Sequence, residues 1–131
     1  MPISYRIDSA AGVVHVTFRG RVTIEEFRTQ YAVLAADPQF RPTMHRLSDA
    51  RELTELPSLD ELRAFAGVIA AARQRELDGV KRAVIVGSAA AYGVGRQYQV
   101  FMGLSGAPID LLHGDAEVAA WLAALPPVGS E

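Results

Sequence analysis

KRAVIVGSAAAYGVGRQYQVFMGL, residues 81–104, reads as a buried strand running directly into a glycine-bearing helix, and that arrangement predicts a layered α/β domain. The run from Ala83 to Val86 is apolar and nearly all β-branched, as in a strand covered on both faces, so it is expected to be central. Ser88 stands where a helix N-cap belongs. Beyond it, Ala90, Val94, Tyr98 and Phe101 recur on one side of a helix, while Tyr92, Arg96 and Gln99 fall on another. Strand, glycines and helix in that order suggest a phosphate loop, but the spacing removes it. Gly93-Val94-Gly95 is followed by Tyr98 where a dinucleotide fingerprint needs its third glycine. The span from Gly87 to Gly93 is one residue too long for a P-loop and has Val94 where lysine is required. Gly93 and Gly95 are left as helix positions where a side chain is unwanted, each costing about 1 kcal/mol of helix propensity relative to alanine. That cost marks the helix as the natural mobile element, a lid with Tyr92 and Arg96 as its test residues.

Upstream, Ile3, Tyr5 and Ile7 alternate with polar residues, and Val14, Val16 and Phe18 do so again after a turn at residues 9–12, which predicts an N-terminal hairpin. His15 falls at a polar position of the second strand and is expected to be exposed. Thr23-Ile24-Glu25-Glu26 is a capping box, with Val22 and Phe27 placed as a hydrophobic staple, and Ile24, Phe27, Tyr31 and Leu34 form the apolar stripe of the first helix. Asp37-Pro38 ends it. Met44 to Leu47 is expected as a short third strand with Asp49 at its end, followed by a loop from Ala50 to Pro57. Ser58-Leu59-Asp60-Glu61 is a second capping box, and Leu59, Leu62, Phe65, Ala66 and Ile69 make the buried stripe of a long helix stopped at Asp78-Gly79. Downstream, Pro108 to Leu112 predicts a fifth strand, Asp115 a cap, and Val118, Trp121, Leu122 and Leu125 the buried side of a last helix before Pro126-Pro127. The expectation is a mixed five-stranded sheet, hairpin first and later strands parallel, with four helices, in one domain over residues 1–127 and a frayed tail over 128–131.

Composition narrows the function classes. The chain of 131 residues is half apolar and 21% charged, the balance of a globular protein. It has no cysteine, which excludes disulfides, thiolate chemistry and Cys-based metal centres. A formal net charge of −2 supplies no global field toward nucleic acid. The longest apolar stretch, Ala83 to Gly95, carries a serine and three glycines and is too short to span a membrane. The first ten residues lack a basic segment followed by an apolar one, so a cytoplasmic location is expected. His15, His45 and His113 are scattered over different elements without metal-ligand spacing, and no Gly-x-Ser-x-Gly elbow occurs. The expectation is a protein that is not an enzyme and uses no cofactor.

The order hairpin, helix, strand, helix, strand, helix, strand, helix resembles the STAS (sulfate transporter and anti-sigma antagonist) superfamily, in its SpoIIAA-like branch. The residues that carry the resemblance are Gly20 with Thr23 to Glu26, Asp49, the strand Arg82 to Val86, Tyr92-Gly93 with Arg96, and Ala119-Ala120-Trp121-Leu122. The resemblance covers almost the whole chain and implies a non-enzymatic module that binds a protein partner, a nucleotide or a hydrophobic ligand. It also implies a phosphorylation switch, but members with the switch carry an acidic residue, then Ser or Thr, then Gly at the start of the second helix. This chain has Leu56-Pro57-Ser58-Leu59, and Ser58 reads as a cap.

Two candidate sites follow. A small hydrophobic or amphipathic ligand, or a membrane surface met peripherally, is expected near the third helix, against Phe65, Ile69, Tyr98 and Phe101, with Tyr92 and Arg96 at the polar end and Arg96 meeting an anionic head group. Alternatively, a regulatory protein partner docks on the segment before the second helix through Asp49, Arg51, Thr54 and Ser58. Homodimerisation is compatible with both.

Overall fold

The computed structural model describes residues 2–73 and 79–126, without the side chain of Arg73. These form β1 (Ile3–Asp8), β2 (Val13–Gly20), α1 (Ile24–Ala36), β3 (His45–Leu53), α2 (Leu59–Arg73), β4 (Arg82–Val86), α3 (Ala89–Leu104), β5 (Asp110–His113) and α4 (Gly114–Ala123). The sheet has the order β1-β2-β3-β4-β5, with β1 antiparallel to β2 and every later pair parallel. This is the mixed five-stranded α/β architecture with four helices expected from the sequence.

Local chemistry sets the element ends. Gly12, at φ +70°, closes the hairpin by donating its N–H to the Asp8 carbonyl at 2.8 Å. Thr23 and Glu26 cap α1 reciprocally, and Ser58 and Glu61 do the same for α2. Ser88 Oγ accepts the Ala91 N–H at the start of α3. Beyond α1, the Tyr5 hydroxyl donates to the Asp37 carboxylate at 2.7 Å, tying the edge strand to the helix end.

Sequential parallel strands joined by right-handed crossovers place α1, α2 and α3 on one face of the sheet, and α4, which follows the last strand, on the other. The core divides accordingly. On the three-helix face, Val14, Val22, Leu62, Phe65, Ile69 and Met102 are buried with their neighbours in clusters between helices and sheet. On the opposite face, Val13, Leu47, Ala83, Ile85 and Leu112 meet Val118, Trp121, Leu122 and Leu125 of α4 and its C-terminal extension.

Four details differ from the sequence reading. β3 runs on to Leu53, well past Leu47, because Asp49, Arg51 and Glu52 satisfy their charges along the strand instead of in a loop; a bulge opposite Thr17 and Arg19 accommodates the extra length. β4 is an interior strand, but the middle one is β3. His113 occupies the N-cap position of α4, where Glu117 accepts its backbone N–H at 2.8 Å, while Asp115 lies in the first turn and pairs with Arg51. His15 is half-buried, not exposed, because its position on β2 lies under the α4 face of the sheet. Asp78, Pro127 and the tail over 128–131 lie outside the described residues.

Candidate ligand chamber

Between the sheet and α1–α3 lies an apolar chamber of about 160 Å³. Phe65 and Ile69 of α2, Val94 and Tyr98 of α3, and Val84 and Val86 of β4 are among the side chains that line it. An engineered apolar cavity of about 150 Å³ holds a benzene ring, so the space suits a small molecule and not a drug-sized one. Unfilled, a void of that size forgoes on the order of 4 kcal/mol of packing, at about 24 cal/mol per Å³. At the β3–α2 connection the wall is made by Leu56 and Pro57, and Leu56 is also partly exposed to solvent.

The opposite end is polar. Arg46 and Arg82 are neighbours in the β3–β4 register, belong to the sheet face that carries α1–α3, line the chamber, and are only 6% and 7% exposed. The Arg46 guanidinium lies over the Phe40 ring, 4.8 Å from its centroid, and Nη1 donates to the Met44 carbonyl. Tyr31, Tyr98 and Gln30 also line the chamber, Tyr98 within reach of the Arg82 charge. Burial pushes the Tyr98 phenol well above its ordinary range, against the opposing pull of the Arg82 charge, so it stays a protonated donor.

The side chains expected at the ligand site separate into three groups. Phe65, Ile69 and Tyr98 line the chamber. Phe101 packs beside them and receives the Arg63 guanidinium over its ring at 5.1 Å. Tyr92 and Arg96 are exposed and stand outside it; Tyr92 instead packs against His113, ring centroids 4.9 Å apart, at the C-terminal edge of β4 and β5. Reading α3 as a wheel put its inward side at Ala90, but Ala90 is exposed and the inward line runs through Ala91, Val94, Gly95, Tyr98 and Met102. The sequence reading passed over Arg46 as a site residue, because a charged residue at an inward strand position looks like a break in the apolar alternation. The available signal was parity, since Arg46 and Ser48 share one face of β3 as Arg82 and Val84 share one face of β4.

The residues expected to meet a protein partner form a charged corner. Arg51 Nη2 contacts Asp49 at 2.8 Å and its Nη1 contacts Asp115 at 2.9 Å, joining β3 to α4. Burial pushes the Asp49 carboxyl up, but the Arg51 side chain and backbone donate to it and hold it below the usual carboxylate range. Thr54 and Ser58 are exposed on the connection to α2, and Ser58 Oγ accepts the Glu61 N–H at 3.1 Å as the helix cap. Among the described residues no group of three or more His, Asp or Glu is placed to hold a metal ion. No described helix is long and apolar enough to cross a membrane. No protein-family model and no curated protein matches the chain by sequence.

Proposed function

We propose that the chain is a non-enzymatic, STAS-like binding module that takes a small hydrophobic or amphipathic molecule into the chamber between the sheet and α1–α3. The observation that carries this reading is the chamber, an apolar space of about 160 Å³ whose wall includes the partly exposed Leu56. A chain gains nothing in stability by leaving such a space unfilled, whereas a ligand that fills it recovers the lost contacts. The hairpin followed by alternating helices and strands supports the resemblance to STAS domains, whose members bind ligands or partners without chemistry. Thermal shifts with benzene, short alcohols and fatty acids, together with native mass spectrometry of the purified protein, test it. A rise in melting temperature with at least one class, or a bound small mass, is expected. A ligand-free mass with no shift across the panel overturns it.

A second reading, a regulatory module that docks a protein through the β3–α2 connection, draws on Leu56 and Leu59. These large apolar side chains are 36% and 46% exposed on either side of Ser58. A defined partner bound by the wild type and lost by Leu59→Arg supports it. Retention of that partner by Leu59→Arg removes this surface.

A further inference from the structure

The chemistry of the occupant follows from the polar groups left open in the chamber wall, granted the reading of that space as a ligand site. The charged side chains in its lining are Arg46 and Arg82, and both, like Tyr31, have interaction partners within the chain. A carboxylate drawn into such a space gives up its water and gains no free cation in return. Two neutral hydroxyls are placed differently. Tyr98 lines the chamber from α3, and Ser48 lines it from the sheet, between Val16 and Val84 in the strand register. Among the described residues neither hydroxyl has a hydrogen-bond partner in the chain, and both residues keep accessible surface.

The two hydroxyls differ in what they offer. Burial keeps the Tyr98 phenol protonated, so it is a donor at any working pH, while the Ser48 hydroxyl rotates to donate or accept. A hydroxyl facing an apolar space is costly until an acceptor meets it. That acceptor has to be neutral, because Phe65, Val84 and Val94 around it offer nothing to an ion. It also has to carry lone pairs, because pure hydrocarbon leaves both hydroxyls unmet. A carbonyl oxygen satisfies both conditions, with two lone pairs and no charge.

We propose that the chamber binds a small neutral carbonyl compound, an aryl or short alkyl ketone, whose oxygen accepts the Tyr98 hydroxyl and whose hydrocarbon lies among Phe65, Val84 and Val94. Ser48 is the second donor to the same class of ligand. The volume sets the scale, since about 160 Å³ admits one ring with a short substituent.

Calorimetric titration of the wild type and of Tyr98→Phe with three ligands of similar shape tests this: acetophenone, its hydrocarbon isostere α-methylstyrene, and benzoate. A hydrocarbon has its own larger drive out of water, so each ligand is compared between the two proteins. In Tyr98→Phe, verified as folded by circular dichroism, acetophenone is expected to lose about fivefold or more in affinity, and α-methylstyrene less than about twofold. Benzoate is expected to bind the wild type at least about tenfold more weakly than acetophenone. The carbonyl carbon-13 resonance of acetophenone bound to the wild type is expected downfield of its position in hexane, as hydrogen bonding requires. That measurement needs no variant, so a misfolded Tyr98→Phe does not rescue the idea. A ketone no more sensitive to Tyr98→Phe than the hydrocarbon, or a resonance at the hexane position, overturns the carbonyl assignment and leaves the chamber standing. Binding of α-methylstyrene alone, or of benzoate as tightly as acetophenone, does the same. If none of the three binds, and benzene does not either, this inference falls together with the ligand-binding reading.

Discussion

A Cβ added at Gly95 meets Leu111 Cδ2 at 3.0 Å and Val86 Cγ1 at 3.4 Å, whereas one added at Gly93 meets nothing within 4 Å. Both glycines pay the same helix-propensity penalty, so the two sites separate packing from propensity. Gly93→Ala is expected to stabilise the protein by about 1 kcal/mol, measured by urea unfolding. Gly95→Ala gains the same propensity but forces Leu111 aside, so its net gain is smaller, and Gly95→Val destabilises outright. The sequence treats the two alike, because helical spacing records only that both lie in one helix. Which of them faces β4 and β5 is a tertiary fact. At Ser58 the sequence was sufficient, since Ser-x-x-Glu before an apolar stripe carries its own geometry. Ser58→Ala should cost about 1 kcal/mol while Ser58→Asp, which still accepts the Glu61 N–H, keeps most of the cap.

Among the elements, those announced by local chemistry were legible: the hairpin by alternation, α1 and α2 by capping boxes, α3 by Ser88 and its apolar spacing. The elements misjudged were those whose ends depend on distant partners. The second half of β3 is polar, and it remains a strand because Arg19 pairs with Glu52 across the β2–β3 ladder and Arg51 reaches Asp115 on α4. Nothing in Ser48-Asp49-Ala50-Arg51 discloses those partners. The same ion pairs are a weak source of stability. The Arg51 side chain is 36% exposed and Asp115 is 91% exposed, so Arg51→Gln is expected to cost less than about 1 kcal/mol in urea unfolding despite its several contacts. The helix it reaches, α4, has its own reporter in Trp121, the only tryptophan of the chain, whose Nε1 donates to Asp110 at 3.0 Å. Asp110→Ala should cost about 1 kcal/mol and shift the emission of Trp121, which watches the packing of α4 on the sheet.

For the molecule as a whole, two histidines and the paired carboxylates determine how stability depends on pH. Burial lowers the His45 pKa, against a hydrogen bond to the Pro126 backbone and with the Arg46 and Lys81 charges adding to the depression; its Nδ1 accepts the Lys81 N–H at 2.9 Å. Burial, followed by Arg6, lowers His15 as well. A histidine depressed in the folded state leaves the unfolded chain binding more protons below its ordinary pKa of 6.5, so stability is complete above that pH and declines as pH falls through the folded values. Asp49 and Glu61, also held low, extend the decline into the carboxylate range. Chemical denaturation between pH 8 and about 5 should therefore show falling stability, and His45→Asn, which can still accept the Lys81 N–H but does not titrate, should flatten that slope. The strand order has a consequence of another kind. Because β1 to β5 lie in the sheet in the order in which they are synthesised, each strand leaving the ribosome finds its neighbour already made, and no gap has to be held open for a later segment. That order lets the sheet grow from one edge while translation proceeds. The last helix, α4, then closes over the second face when all five strands are in place.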